Sequence, residues 1–97
     1  MDELRFAWDK KKAKINRKRH KVSFEEAVTV FDDEQARFMH DPDHSEEEDR
    51  FVLLGMSCSV RLLVVIHCYR EDDSEIRIIS ARKASKHEEK KYWEFIK

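Results

Sequence analysis

The chain has 97 residues, and 42% of them are Asp, Glu, Lys or Arg, yet the net charge is only −1. A typical globular domain is about one quarter charged, so this is a single domain (residues 1–97) with a modest core and a large solvated surface. The lone glycine, Gly55, excludes glycine-rich phosphate loops and dinucleotide fingerprints. The longest good apolar run, Leu62 to Ile66, is too short to span a membrane, and the MDELRFAWDK start lacks the apolar core of a secretory signal.

The small net charge hides a split. Lys10 to Lys21 is almost wholly basic, whereas Glu25 to Asp49 is mostly acidic. A chain polarised in this way can turn a basic face to an anion and remain neutral overall.

In chain order, Leu4 to Trp8 alternates weakly and reads as a first strand. Asp9 follows as a helix cap over Lys10 to His20, its carboxylate placed to accept the free amide hydrogens of the first turn. Ala13, Asn16, Arg17 and His20 share one face of that helix. Ser23-x-x-Glu26 is a capping box that starts a second helix through about Phe31, with Phe24, Ala27, Val28 and Phe31 as its apolar stripe. Gln35 to His40 reads as a strand.

Asp41 to Arg50, with the only proline and a run of acids, reads as a loop. Its His40-Asp41-Pro42-Asp43-His44 segment resembles a ligand set in composition alone, so no metal or other cofactor is expected. Phe51 to Met56 and Arg61 to Arg70 are strands joined by a tight hairpin. If the turn centres on Cys58 and Ser59, Met56 pairs with Arg61 and Cys68 lies opposite Asp49. The two cysteines are then a strand apart, too far to bond, and act as small apolar fillers in a reducing, cytosolic setting. Glu75 to Arg82 is the next strand. Ser85-x-x-Glu88 is a second capping box, opening a last helix with Tyr92, Trp93, Phe95 and Ile96. Trp8 and Trp93 are expected to pack in the core or at its rim rather than to stack on bases.

Strand alternation divides the side chains between faces. Arg61, Leu63, Val65, His67 and Tyr69 form an amphipathic face. Leu62, Val64, Ile66, Cys68 and Arg70 form a more apolar one, expected to lie against helices. In the following strand Arg77 sits among isoleucines and needs a carboxylate or an anion, because an unpaired buried charge is costly. Arginine suits phosphate, whose oxygens match its planar fork. Arg77 and Arg82 fall on opposite faces, so one site can use both only if the strand bulges or ends between them. Together with the basic helix, these residues favour a nucleic-acid backbone as the anion.

FAWDKKKAKIN (Phe6 to Asn16), HKVSFEEAVTVFDD (His20 to Asp33), DPDHSEEEDRF (Asp41 to Phe51), RLLVVIHCYR (Arg61 to Arg70) and IRIISARKAS (Ile76 to Ser85) together resemble the BrnT family of bacterial toxins. Lys21 departs from the family's frequent glycine after the histidine, and a lysine there disfavours a left-handed turn. The resemblance implies an α+β, RelE-like fold: a small antiparallel sheet of four to five strands with two N-terminal helices and one C-terminal helix. It implies a cytoplasmic endoribonuclease that inhibits translation. It also implies a BrnA-like antitoxin, with which the toxin forms a heterotetramer that binds promoter DNA. A membrane partner is not expected.

For metal-free cleavage by the RNA's own 2′-hydroxyl, the expected catalytic set is Arg61 and Arg77 on the phosphate, with His67 or His20 as acid or base. Arg82, Lys83, Lys18 and Arg19 are the expected RNA-binding cations. The acidic loop and the last helix are candidate antitoxin surfaces. The alternative is a non-catalytic module that binds nucleic acid or protein.

Overall fold

The computed structural model describes residues 4–41, 49–70 and 74–96. Five strands, β1 (Arg5–Ala7), β2 (Arg37–His40), β3 (Phe51–Met56), β4 (Leu62–Arg70) and β5 (Glu75–Lys83), form one sheet in the order β1-β5-β4-β3-β2. Three helices accompany it: α1 (Lys10–His20), α2 (Phe24–Thr29, extended by a 3₁₀ turn over Val30–Asp32) and α3 (Lys86–Ile96). The resemblance implies an antiparallel sheet. The observed one is mixed, because β1 runs parallel to β5 with Phe6 opposite Ile76. The elements between β1 and β5 return the chain to the edge of the sheet in the same direction.

Local chemistry sets the helix ends. Asp9 accepts from the Lys11 and Lys12 amides at 2.8 and 3.2 Å, which starts α1 as expected. Ser23 accepts from the Glu26 amide at 3.0 Å, but the Glu26 side chain does not close the box, because Arg61 and Ser57 hold it instead. The second box is complete: Ser85 Oγ accepts from the Glu88 amide, and Glu88 Oε1 accepts from the Ser85 amide. Lys21 ends α1 in the left-handed region (φ 61°, ψ 31°), so the junction takes the very turn that lysine disfavours.

The main core lies between α1, α2 and the sheet face that carries Leu63, Val65 and the fully buried His67. Val22, Phe24, Ala27 and Val30 meet Leu53, Ile76, Ile78 and Ala81 there. Burying a side chain such as Phe24 is worth about 1.5–3 kcal/mol. The expectation for the two faces of β4 is therefore corrected. The face read as amphipathic is the better buried, since a neutral His67 and Tyr69 join its aliphatics. The opposite face packs Leu54 and Val64 on Tyr92 of α3.

The hairpin register is also one residue longer than expected. Met56 pairs with Leu62, and Ser57 donates its amide to the Arg61 carbonyl at 2.9 Å. Val60 occupies the left-handed region (φ 58°), closing a three-residue loop. Cys58 is exposed and Cys68 buried, both as free thiols.

Gly55 is the close-approach point. A Cβ on it would stand 2.8 Å from Ala36 Cβ and 2.8 Å from Val30 Cγ1. Just beyond, Asp33 Oδ2 accepts from the Met56 amide at 2.7 Å and from the Tyr92 hydroxyl at 2.6 Å, tying α3 to the 3₁₀ turn. Burial and this hydrogen bond push the Tyr92 hydroxyl up to about 12. No helix among the described residues is long and apolar enough to cross a membrane.

Candidate functional site

The arginines expected to gather on the sheet do not share a site. Arg61 lies just before β4 on the α2 side. Its Nε donates to Glu26 Oε2 at 2.9 Å, and its Nη2 donates both to Glu26 Oε1 and, at 3.2 Å, to the Lys21 carbonyl. Arg77 pairs in register with Cys68 on the opposite face. Seven residues along β4 separate the two positions, about 23 Å at the rise of a strand.

β5 does bulge between Arg77 and Arg82, the condition on which the two could lie on one face. Ile66 pairs with Ser80 and His67 with Ile78, which leaves Ile79 as the extra residue of β5. It reverses the alternation, so Ile76, Ile78 and Ala81 all enter the core while Arg77 and Arg82 share the α3 face. Arg82 is engaged there. Its Nη1 and Nη2 donate to the two carboxylate oxygens of Glu88 at 2.8 and 2.9 Å. That fork holds the Glu88 carboxyl down to about 2. Beside the pair lies an open concavity of about 440 Å³, floored by Val52, Val64 and Ile66 and edged by His40, Arg50 and Ser80. Lys83 faces the other way, opposite Leu63, where its charge acts on Glu26.

His67 is 0% exposed. Its ring meets Phe31, Phe38, Phe51 and Tyr69, with centroids 4.9 to 6.1 Å away. Its Nδ1 lies 3.3 Å from the Val65 carbonyl, and Nε2 has no hydrogen-bond partner among the described residues. Burial pushes its pKa below the usual histidine value and keeps the ring neutral. It is a core histidine in this structure, closed off from solvent.

A continuous run of cations without ion pairs among the described residues lies on α1. Among the described residues, Lys10, Lys11, Lys12, Lys14, Arg17, Lys18, Arg19 and Lys21 are all exposed and none is in an ion pair. A helix with so polar a surface needs an anchor, and Asn16 supplies it. The Asn16 Nδ2 donates to the Val22 carbonyl at 3.0 Å and the Ala81 carbonyl at 2.8 Å, and Oδ1 accepts from the Ala81 amide at 3.1 Å. All three bonds are buried, which makes them hard to replace.

Asn16 thereby lays α1 along the part of β5 that β1 leaves uncovered, since β1 pairs only with Glu75, Ile76 and Arg77. The result is a concavity of about 170 Å³ lined by Lys12, Ile15, Asn16, Arg19, His20, Ile79 and Ser80. Of the expected site residues, His20 and Arg19 meet here, while Lys18 projects into solvent. Lys12 and Ser80 were not anticipated. Lys12, Asn16 and His20 fall at successive spacings of four, a signal present in the sequence. Ser80 enters through tertiary contact, which no local pattern carries. Pro42 to Glu48, including Asp43 and His44, lies outside the described residues, and so does most of the acidic loop.

A family model for "Ribonuclease toxin, BrnT, of type II toxin-antitoxin system" matches residues 8–88. The fold is similar to that of the Brucella abortus ribonuclease toxin BrnT, known from a 1.1 Å crystal structure. The TM-score is 0.64 at 21% identity, covering 87% of this chain and 100% of that one. No curated protein matches. With a mixed five-stranded sheet, three helices and a family match over most of its length, this chain belongs to the BrnT ribonuclease toxins of type II toxin–antitoxin systems.

Proposed function

We propose that this chain is an endoribonuclease that cuts RNA without a metal, at the concavity between α1 and the bulge of β5. The observation that carries this reading is the meeting of His20 with Lys12, Arg19 and Ser80 in one open hollow. The 2′-hydroxyl attacks the adjacent phosphorus and the 5′-oxygen leaves, giving a 2′,3′-cyclic phosphate. His20 takes the 2′-hydroxyl proton or supplies one to the leaving oxygen. Lys12 and Arg19 stabilise the charge that builds on the phosphate oxygens. Arg77 lies further along the sheet, where its charge acts on Asp9. Arg61 holds the scaffold through Glu26, and Arg82 becomes available to a phosphate only by exchanging Glu88 for it.

In this reading translation stops because messages are cut. A cognate antitoxin neutralises the toxin by bringing carboxylates to the same cations, and the pair assembles on its promoter DNA as a heterotetramer. The test is cleavage of RNA by the purified chain in excess chelator, with end-group analysis. Cyclic phosphate ends support the reading. RNA that stays intact favours the binding-module alternative.

A further inference from the structure

The opposite flank of α1 carries a second concavity that the proposed cleavage chemistry does not use. It measures about 420 Å³ and is lined by Trp8, Lys10, Lys14, Arg17, Ser23 and Glu25 among others. Lys10, Lys14 and Arg17 recur at spacings of four and three, so they form one row over about 10 Å of helix. No described carboxylate pairs with any of the three. Glu25 at the rim is the one acid of the lining. Trp8 is half-buried. It meets Phe24 at 82° with centroids 5.9 Å apart, and this packing leaves part of its surface to the hollow.

A row of unpaired cations beside an aromatic wall is the combination that holds a single strand of nucleic acid, with phosphates on the charges and a base against the ring. The volume falls within the range of small-ligand clefts. A duplex keeps its base faces stacked, so an unpaired strand fits the hollow better.

We infer that this flank is a second subsite for single-stranded RNA, distinct from the His20 hollow. It rests on the ribonuclease reading for the identity of its ligand. One strand crosses α1, with a base on Trp8, its phosphates on Lys10, Lys14 and Arg17, and the scissile phosphate on the far side at Lys12 and Arg19. The subsite gives the enzyme affinity for nucleotides beside the cut, independent of the chemistry.

The experiment uses the full chain with Trp93→Phe, which leaves Trp8 as the only tryptophan. The probe is a fully 2′-O-methylated hexanucleotide, which has no 2′-hydroxyl to attack. Binding is expected to quench the Trp8 emission. The double substitution Lys14→Ala, Arg17→Ala is expected to raise Kd at least tenfold. It should also lower the slope of log K against log salt by about 1.4, at about 0.7 for each phosphate that the variant no longer neutralises. Lys86→Ala with Lys90→Ala, on α3, is expected to change neither. An unchanged Kd in the double variant, or binding without quenching, overturns the subsite. So does a poly-glutamate peptide that binds the row more tightly than the RNA. Cleavage of unmodified RNA separates the two ideas. A chain that cuts RNA but binds independently of Lys14 and Arg17 loses only the subsite. A chain that binds through them yet never cuts keeps the subsite and loses the ribonuclease reading.

Discussion

The Arg61 guanidinium and the Glu26 carboxylate meet at two points, with Nε donating to Oε2 at 2.9 Å and Nη2 donating to Oε1. The carboxylate is 12% exposed and also accepts from Ser57 Oγ at 2.6 Å, so it joins α2, the β3–β4 turn and the end of α1. Glu26→Gln leaves a partly buried guanidinium without its counter-charge. A loss of about 1–3 kcal/mol is expected, less than for a fully buried pair. That corresponds to roughly 4–8 °C in Tm for each kcal/mol. A denaturant midpoint unchanged by the substitution would remove Glu26 from this role.

Two residues bear left-handed backbone without being glycine, Lys21 at φ 61° and Val60 at φ 58°. The left-handed conformation costs an L-residue about 1–2 kcal/mol, partly offset in a glycine variant by the greater freedom of the unfolded chain. Lys21→Gly and Val60→Gly should each stabilise by about 0.5–1 kcal/mol. The effect should be larger at Val60, whose branched Cβ fits that region worst. Thermal unfolding checks this, and a lowered Tm in both variants would contradict it.

Gly55→Ala acts in the opposite direction. The added methyl meets two carbons at 2.8 Å and Asp33 Oδ2 at 3.1 Å, none of them the free end of a long side chain. A cost of about 1–3 kcal/mol follows, as for other overpacked cores. Urea unfolding should show it as a lowered midpoint.

Stability should fall in acid through two separable windows. His67 is held neutral by burial, its pKa below the usual 6.5. The folded state therefore resists protonation, and stability declines as pH drops below about 6.5, where the unfolded chain takes up the proton. The Glu88 carboxyl, held down to about 2 by the Arg82 guanidinium, contributes above its ordinary value of 4.5 and is lost as pH falls from there toward 2. Urea midpoints followed from about pH 7 to about pH 3 should show both declines. His67→Leu should flatten the upper one, and Glu88→Gln should make only the lower one shallower, since Glu26 and Asp33 are also held below the usual carboxylate range. A His67→Leu profile parallel to that of the parent would refute the first assignment.

The elements were largely legible because their signals are local. Asp9, Ser23 and Ser85 sit where they cap, and the apolar runs of β3, β4 and β5 set the strands. The site was less legible, for two physical reasons. One extra residue, Ile79, inverts the faces beyond it, so counting from Arg77 places Arg82 wrongly. Charges also find partners across the fold. Glu26 reads as half of a capping box and spends its carboxylate on Arg61, thirty-five residues away. The basic helix was visible as composition. The anchoring of that helix by Asn16 on Ala81, which brings His20 to Ser80, depends on bonds between residues sixty-five apart.

The most direct test of the account compares RNA cleavage by the parent chain and by His20→Ala, with circular dichroism to show that both are folded. A loss of about 10²–10⁴ in rate is expected from removing a general acid or base. The products of the parent should carry 2′,3′-cyclic phosphate ends. Cleavage by His20→Ala at the parental rate would contradict the placement of the active site between α1 and β5.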